Sequence, residues 1–197
     1  MRRSAILGLA AAAVMAVSGV AALADGPGLR WELGFKHETP TWVKIQVEKA
    51  KTRVAWYMTY QVENATGATR KPAIRAVLLA DTVRNNEFKD TCDAGTVKAV
   101  KEATGVKEYS TAIDLRAGID DGKKVACVAT FGAVNDEAKK IELRVYGLMD
   151  PVNQVNGKEV YEVKYWSAKY ERKGDEFQRT EDKWKLVSSG WVVEESK

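Results

Sequence analysis

Polar and apolar residues alternate along most of this chain with a period of two. Val43, Ile45 and Val47 alternate with Lys44, Gln46 and Glu48, the pattern of a half-buried strand. Val54, Trp56, Met58, Tyr60 and Val62 form a longer apolar file, opposed by the mixed file Ala55, Tyr57, Thr59, Gln61 and Glu63. This pattern predicts that Trp56 and Met58 are buried on the face opposite Tyr57 and Thr59. Asn64-Ala65-Thr66-Gly67 supplies a turn. Ile74 to Leu79 is nearly continuous in apolar residues and reads as a more central strand. Asp81 to Gly95 reads as a polar loop.

Thr96 to Thr104 is the one helix the pattern predicts. Val97 and Val100 share a face, and Gly105 suits a left-handed stop. Leu115 to Lys124 reads as a turn region, Val125–Phe131 and Ile141–Tyr146 as strands, and Gly147 to Gly157 as a loop. Glu159 to Glu171 reads as one long strand with Tyr161, Val163, Tyr165 and Ser167 on one face. Lys173-Gly174-Asp175 offers a turn, after which Lys183 to Val193 returns as one or two strands bearing Trp184, Leu186, Trp191 and Val193. Seven or eight short strands, one short helix and frequent turns predict an all-β sandwich with a C-terminal aromatic hairpin, a closed barrel being the rival.

The first 24 residues stand apart from this pattern. Met1-Arg2-Arg3 is basic, Ala5 to Val17 is apolar, and Ala22-Leu23-Ala24 ends a stretch of small residues. That is the layout of a cleaved secretory signal peptide, with the cut expected after Ala24. It implies a secreted or periplasmic protein, with no stable membrane insertion once the leader is gone. The expected organisation is then a signal peptide over 1–24, an irregular lead-in over 25–40, a β-sandwich core over 41–150 and a C-terminal β extension over 151–197 packed on it.

Composition sharpens the functional reading. The 197 residues include 31 Lys+Arg and 27 Asp+Glu, and the leader removes Arg2 and Arg3, so the mature balance is 29 − 27 = +2. Such near neutrality argues against a nucleic-acid binder, which needs clustered positive charge. One His and two Cys exclude the common zinc sites and a multi-disulfide scaffold. Cys92 and Cys127, separated by 34 residues, leave two arrangements open. One is a disulfide stabilising by about 3–4 kcal/mol in the chain-entropy model. The other is two separate thiols, with Cys127 buried in its strand. His37 reads as a surface or hydrogen-bonded structural imidazole. The acidic pairs Asp120-Asp121, Asp136-Glu137, Asp175-Glu176 and Glu181-Asp182 read as solvated turns, since calcium-loop spacing is missing. Asn64-Ala65-Thr66 fits a glycosylation sequon. No phosphate loop, dinucleotide fingerprint or nucleophile elbow is present, and no cofactor is implied.

The aromatic residues near the C-terminus are the best lead to binding. If Tyr161, Val163 and Tyr165 face the core, Trp166 and Tyr170 face outward and can anchor a protein or a sugar ring. Alternatively the C-terminal hairpin folds back and covers them. Tyr57-Met-Thr-Tyr-Gln-Val-Glu-Asn-Ala-Thr-Gly67, Leu115-Arg-Ala-Gly118 and Ile141-Glu-Leu-Arg-Val-Tyr-Gly-Leu148 follow in order. Tyr170-Glu-Arg-Lys-Gly-Asp-Glu-Phe177 and Ser189-Gly-Trp191 complete the series. Together they resemble exported immunoglobulin-like domains of unknown function from planctomycete-type bacteria, across about Trp42 to Val193. The resemblance implies a fold and an export route, and brings no catalytic residues. The expected function is a non-enzymatic exported module binding a protein or another envelope component. A carrier of a small apolar ligand is the second expectation, and a carboxylate hydrolase is the third.

Overall fold

The computed structural model describes residues 30–48, 51–82, 86–134, 137–156, 158–172 and 184–194. The signal-peptide reading, the Lys173-Gly174-Asp175 turn, Asp136 and the pairs Asp175-Glu176 and Glu181-Asp182 lie outside them. The described chain is all-β with one α-helix: β1 (Gly34–His37), β2 (Thr41–Glu48), β3 (Lys51–Glu63), β4 (Arg75–Ala80), β5 (Glu87–Lys89), α1 (Ala94–Thr104), β6 (Lys124–Phe131), β7 (Lys140–Tyr146), β8 (Val152–Val155), β9 (Lys158–Tyr161), β10 (Lys164–Glu171) and β11 (Lys185–Val193).

All strand pairs are antiparallel, in two main sheets and the separate β8–β9 hairpin. In the first sheet β1 and β6 both pair with residues 60–63 of β3, so they lie on opposite sides of it. β2 pairs with residues 51–57 on the β1 side. β1 and β2 are thus one edge, interrupted where Pro40 has no N–H to give the ladder. The second sheet runs β11-β10-β7-β4-β5. The two inner faces share one core. Trp56, Met58, Tyr60 and Val62 of β3 meet Ala76 and Leu78 of β4, Ile141, Leu143 and Val145 of β7, and Ala168 and Tyr170 of β10.

The β3 expectation holds: Trp56 and Met58 are buried, while Tyr57 and Thr59 lie half-buried on the opposite face. That second face is covered by α1, whose Val97 and Val100 pack with Val128, Val43, Tyr57 and Tyr109. The helix starts where the Asp93 side chain accepts from Thr96 N at 2.6 Å, and it stops at Gly105 with φ 71°.

Four expectations need correction. Residues 33–37 are not irregular, because Leu33 is buried and β1 is a paired strand. β5 and β8 lie in segments read as loops; both are too short to show a period. The 159–171 run is two strands, broken at Glu162-Val163, where Glu162 N–H donates to the Pro151 carbonyl. Finally, β10 and β11 are not an extension packed on the sandwich. They are two of the five strands of the second sheet.

Candidate functional site

The pairing of β10 with β7 and β11 decides where the C-terminal aromatics point. Trp166, Ala168 and Tyr170 face inward, and Tyr165, Ser167 and Lys169 face outward, opposite to the face expected from the sequence. Tyr170 is 2% exposed, and Trp166 is half-buried against the core, at 5.7 Å from the Trp191 ring of β11 and 6.2 Å from Phe35 of β1. These two residues therefore do not form an exposed binding surface. They are covered, but within the main core between the sheets rather than under a folded-back hairpin.

The inward aromatics close around His37. Trp166 Nε1–H donates to His37 Nε2 at 3.2 Å. An indole N–H can only donate, so Nε2 must be the bare acceptor and the neutral ring carries its proton on Nδ1. Nδ1 faces the Glu38 carbonyl at 3.1 Å and the Tyr170 hydroxyl at 3.2 Å. His37 is thus a structural imidazole. Burial lowers its pKa, and the Glu38 carbonyl and the Glu38 charge offset only part of that effect. Besides Glu38, the groups facing the ring are Phe35, Trp166 and Tyr170, none of them charged at neutral pH.

A pH dependence follows. The unfolded chain protonates His37 near pH 6.5 while the folded ring resists, so the unfolded state binds more protons below that pH. Stability is complete above about pH 6.5 and falls as the pH drops from there towards the depressed folded value. Urea unfolding at about pH 7.5 and about pH 5, above the main carboxylate range, checks this. The midpoint should fall at the lower pH, and an unchanged midpoint would contradict the half-buried, neutral imidazole.

The structure describes both cysteines as free thiols. Cys127 is fully buried in β6 with Sγ donating to the Val125 carbonyl at 3.4 Å. Burial pushes its thiol up to about 12, against smaller opposing effects from the Tyr60 hydroxyl and the Val62 backbone. Cys92 is half-buried and has φ 49°, uncommon for a residue with a Cβ. Asn64 is 0% exposed, and its Nδ2 donates to the Ala68 and Ile119 carbonyls at 2.8 and 2.6 Å. It clasps two loops and is sealed from glycosylation. Asp121 and Asp120 serve the same clasp, accepting from Gly67 N at 2.8 Å and Thr69 Oγ1 at 2.9 Å. Among the described residues no cluster of three or more His, Cys, Asp or Glu suits a metal ion.

What sequence reasoning missed is on the outer face of the second sheet. Arg75, Tyr146, Tyr165 and Val192 stand in one row across four strands. The Arg75 guanidinium lies 4.4 Å from the Tyr146 ring centre, Tyr146 lies 4.9 Å from Tyr165, and Arg144 lies 5.1 Å from Tyr165. Arg144 is fixed in turn by Glu142 at 2.8 Å, which also accepts from Ser167 Oγ at 2.7 Å. Burial works against ionising Glu142, but these bonds outweigh it and hold the carboxyl below its ordinary range. At the end of this row an open groove of about 630 Å³ is lined by Arg75, Tyr146, Tyr161, Arg116, Asp90 and Glu194. Tyr161 is 74% exposed at the groove. The Asp90 Oδ1 atom accepts from Cys92 N–H and Thr130 N–H, both at 2.9 Å, and so shapes the wall.

No protein-family model, curated protein or solved structure matches the chain. The groove must therefore be read from its own chemistry. Its lining carries two arginines, two carboxylates and two tyrosines, one of them stacked under a guanidinium and the other open to solvent. Tyrosine and arginine are the residues that most often anchor protein interfaces, because each offers a large apolar surface together with a polar tip. The alternation of Glu142, Arg144 and Tyr146 with Ile141, Leu143 and Val145 was a signal for the outer row. Nothing in the sequence pattern joins that row to Asp90, Arg116 and Tyr161.

Proposed function

We propose that this chain is an exported, non-catalytic binding module of immunoglobulin-like topology. It engages a protein, or failing that another envelope component, through the Arg75–Tyr146–Tyr161 groove. The observation that carries this reading is the open groove in which an exposed Tyr161 stands with an arginine-capped Tyr146. The leader-like residues 1–24 support export. The strand order supports the topology: β2-β3-β6 against β5-β4-β7-β10 follows the A-B-E and C′-C-F-G order of immunoglobulin-type sandwiches, with α1 standing between C′ and E in the chain, where strand D would come in sequence.

Two observations favour binding over the other expectations. Buried side chains of both sheets, such as Met58, Leu78, Leu143 and Tyr170, gather into one cluster between them, which favours a packed core over a chamber for an apolar ligand. Asp90 and Glu194 do line one groove, as a carboxylate hydrolase requires. Yet Asp90 Oδ1 is occupied by backbone donors, Oδ2 is shut away from solvent, and Glu194 accepts from the Tyr146 hydroxyl at 3.5 Å.

Site-specific photocrosslinking tests the proposal. A photoreactive phenylalanine analogue at position 161 should yield a discrete adduct in envelope extracts, competed by unlabelled protein. The same probe at Lys98, exposed on α1, should yield none. Arg75→Ala should weaken capture by about tenfold or more, the scale of an anchor residue. Equal labelling at 98 and 161, or undiminished capture by Arg75→Ala, would overturn the groove as the binding site.

A further inference from the structure

β11 ends the five-stranded sheet, and among the described residues its outer edge pairs with nothing. Leu186-Val-Ser-Ser-Gly-Trp-Val-Val193 holds eight residues without a charge or a proline. Leu186, Val187 and Val193 are about half exposed, at 48%, 57% and 48%. The other edges are better protected. β5 has three residues and carries Glu87 and Lys89. β2 carries Lys44 and Glu48 and is kinked by an irregularity between Gln46 and Glu48. The far side of β6 is met by Ser110. Charges, short length and bulges are the devices that keep sheet edges apart, and β11 has only the bulge near Val187 and one charge at its first residue, Lys185. Ser188 to Val193 stay in regular register with β10.

The ladder shows which groups are free. Glu194 N–H donates to the Val163 carbonyl of the β10 side at 2.8 Å. Alternate residues of an antiparallel strand turn their N–H and C=O groups to the same side. Val192, Gly190 and Ser188 therefore address β10, and Val193, Trp191 and Ser189 turn theirs to the open edge.

We infer that this edge pairs with the same edge of a second copy of the chain, antiparallel, about a two-fold axis at Gly190. That register sets the outward-turned Ser189 against the outward-turned Trp191 of the second copy, so that hydrogen-bonding groups meet hydrogen-bonding groups. It also sets the exposed Val187 against the exposed Val193. Charge selects the direction. Lys185 and Glu194 stand at opposite ends of the uncharged run, so antiparallel pairing brings the lysine end of each copy to the glutamate end of the other. Parallel pairing would place like charges together at both ends. The product is one continuous sheet with five strands from each copy.

Sedimentation equilibrium of the exported chain from about 1 µM to about 100 µM spans the range over which modest interfaces dissociate. The expected result is a reversible monomer–dimer equilibrium. Ser189→Pro deletes an N–H that points to the open edge and spares the β10 ladder, where edge-strand proline is tolerated. It should remain monomeric throughout, with an unchanged circular dichroism spectrum. Val187→Lys/Val193→Lys places lysine against lysine at both crossings and should also be monomeric, which keeps the test open should the proline variant misfold. A wild-type chain that is monomeric at every concentration overturns the inference. So does a dimer of undiminished affinity in the folded variants.

Discussion

Replacing Gly147 with alanine is expected to cost about 4 kcal/mol or more, a large share of the stability of an ordinary domain. Gly147 follows the last residue of β7 and has φ +76°, a conformation that costs a residue with a Cβ about 1–2 kcal/mol. The added Cβ would also overlap the Ala73 carbonyl oxygen, with the carbonyl carbon at 2.6 Å and Ile74 N at 3.0 Å. All three are backbone atoms, so no side-chain rotation relieves the clash. Ala73 leads into β4, and β4 pairs with β7 at Arg75↔Tyr146, so the relief has to come from parting the two central strands of the second sheet. The melting temperature should fall by about 8–16 °C for a chain of this size. Gly122→Ala is the matched control: φ is +73° there, but nothing lies within 4 Å of its Cβ. Only the backbone cost of about 1–2 kcal/mol should remain. Equal melting losses for the two variants would contradict the close approach of β7 to Ala73.

The second large effect is at Trp166. Its indole packs between Trp191 and Phe35 and donates to the only histidine of the chain. Trp166→Ala removes that packing and leaves His37 Nε2 without its donor, which together should cost about 3 kcal/mol or more. Lys169→Ala, three residues along on the outward face, should stay within about 0.5 kcal/mol. Denaturant unfolding of both variants reads the orientation of β10. Were Tyr165 and Lys169 turned inward, the order of the two effects would reverse.

These two sites also show where sequence reasoning succeeds and where it stops. β3 was legible because its two files differ in kind. Trp56, Met58, Tyr60 and Val62 stand against a face mixed enough to accept the covering helix. β7 was legible for the same reason, and α1 announced itself by Gly105 and the Val97/Val100 spacing. β10 offered no such contrast. Both of its faces are aromatic, Tyr165 on one and Trp166 with Tyr170 on the other, so the alternation cannot say which is buried. The break between β9 and β10 falls at Glu162-Val163, without a glycine or proline to mark it. The groove was invisible for a different reason. Arg75, Asp90, Arg116, Tyr146 and Tyr161 are brought together by strand pairing and loop docking, and no local spacing encodes that meeting. The cysteines show the limit of spacing arguments as well. A 34-residue separation permits a bridge, while the folded chain keeps Cys127 within the core as a small apolar residue.

The inward turn of Trp166 and Tyr170 is the hinge of the whole account, because it removes the obvious aromatic anchor and moves the binding face to the groove. The chain has a single histidine, so its imidazole nitrogens give one unambiguous set of nuclear magnetic resonance signals. With Trp166 Nε1–H donating to Nε2, the proton at neutral pH must sit on Nδ1, and the ring must titrate below 6.5. An Nε2-protonated ring titrating at the ordinary value would contradict the account and return Trp166 and Tyr170 to the surface.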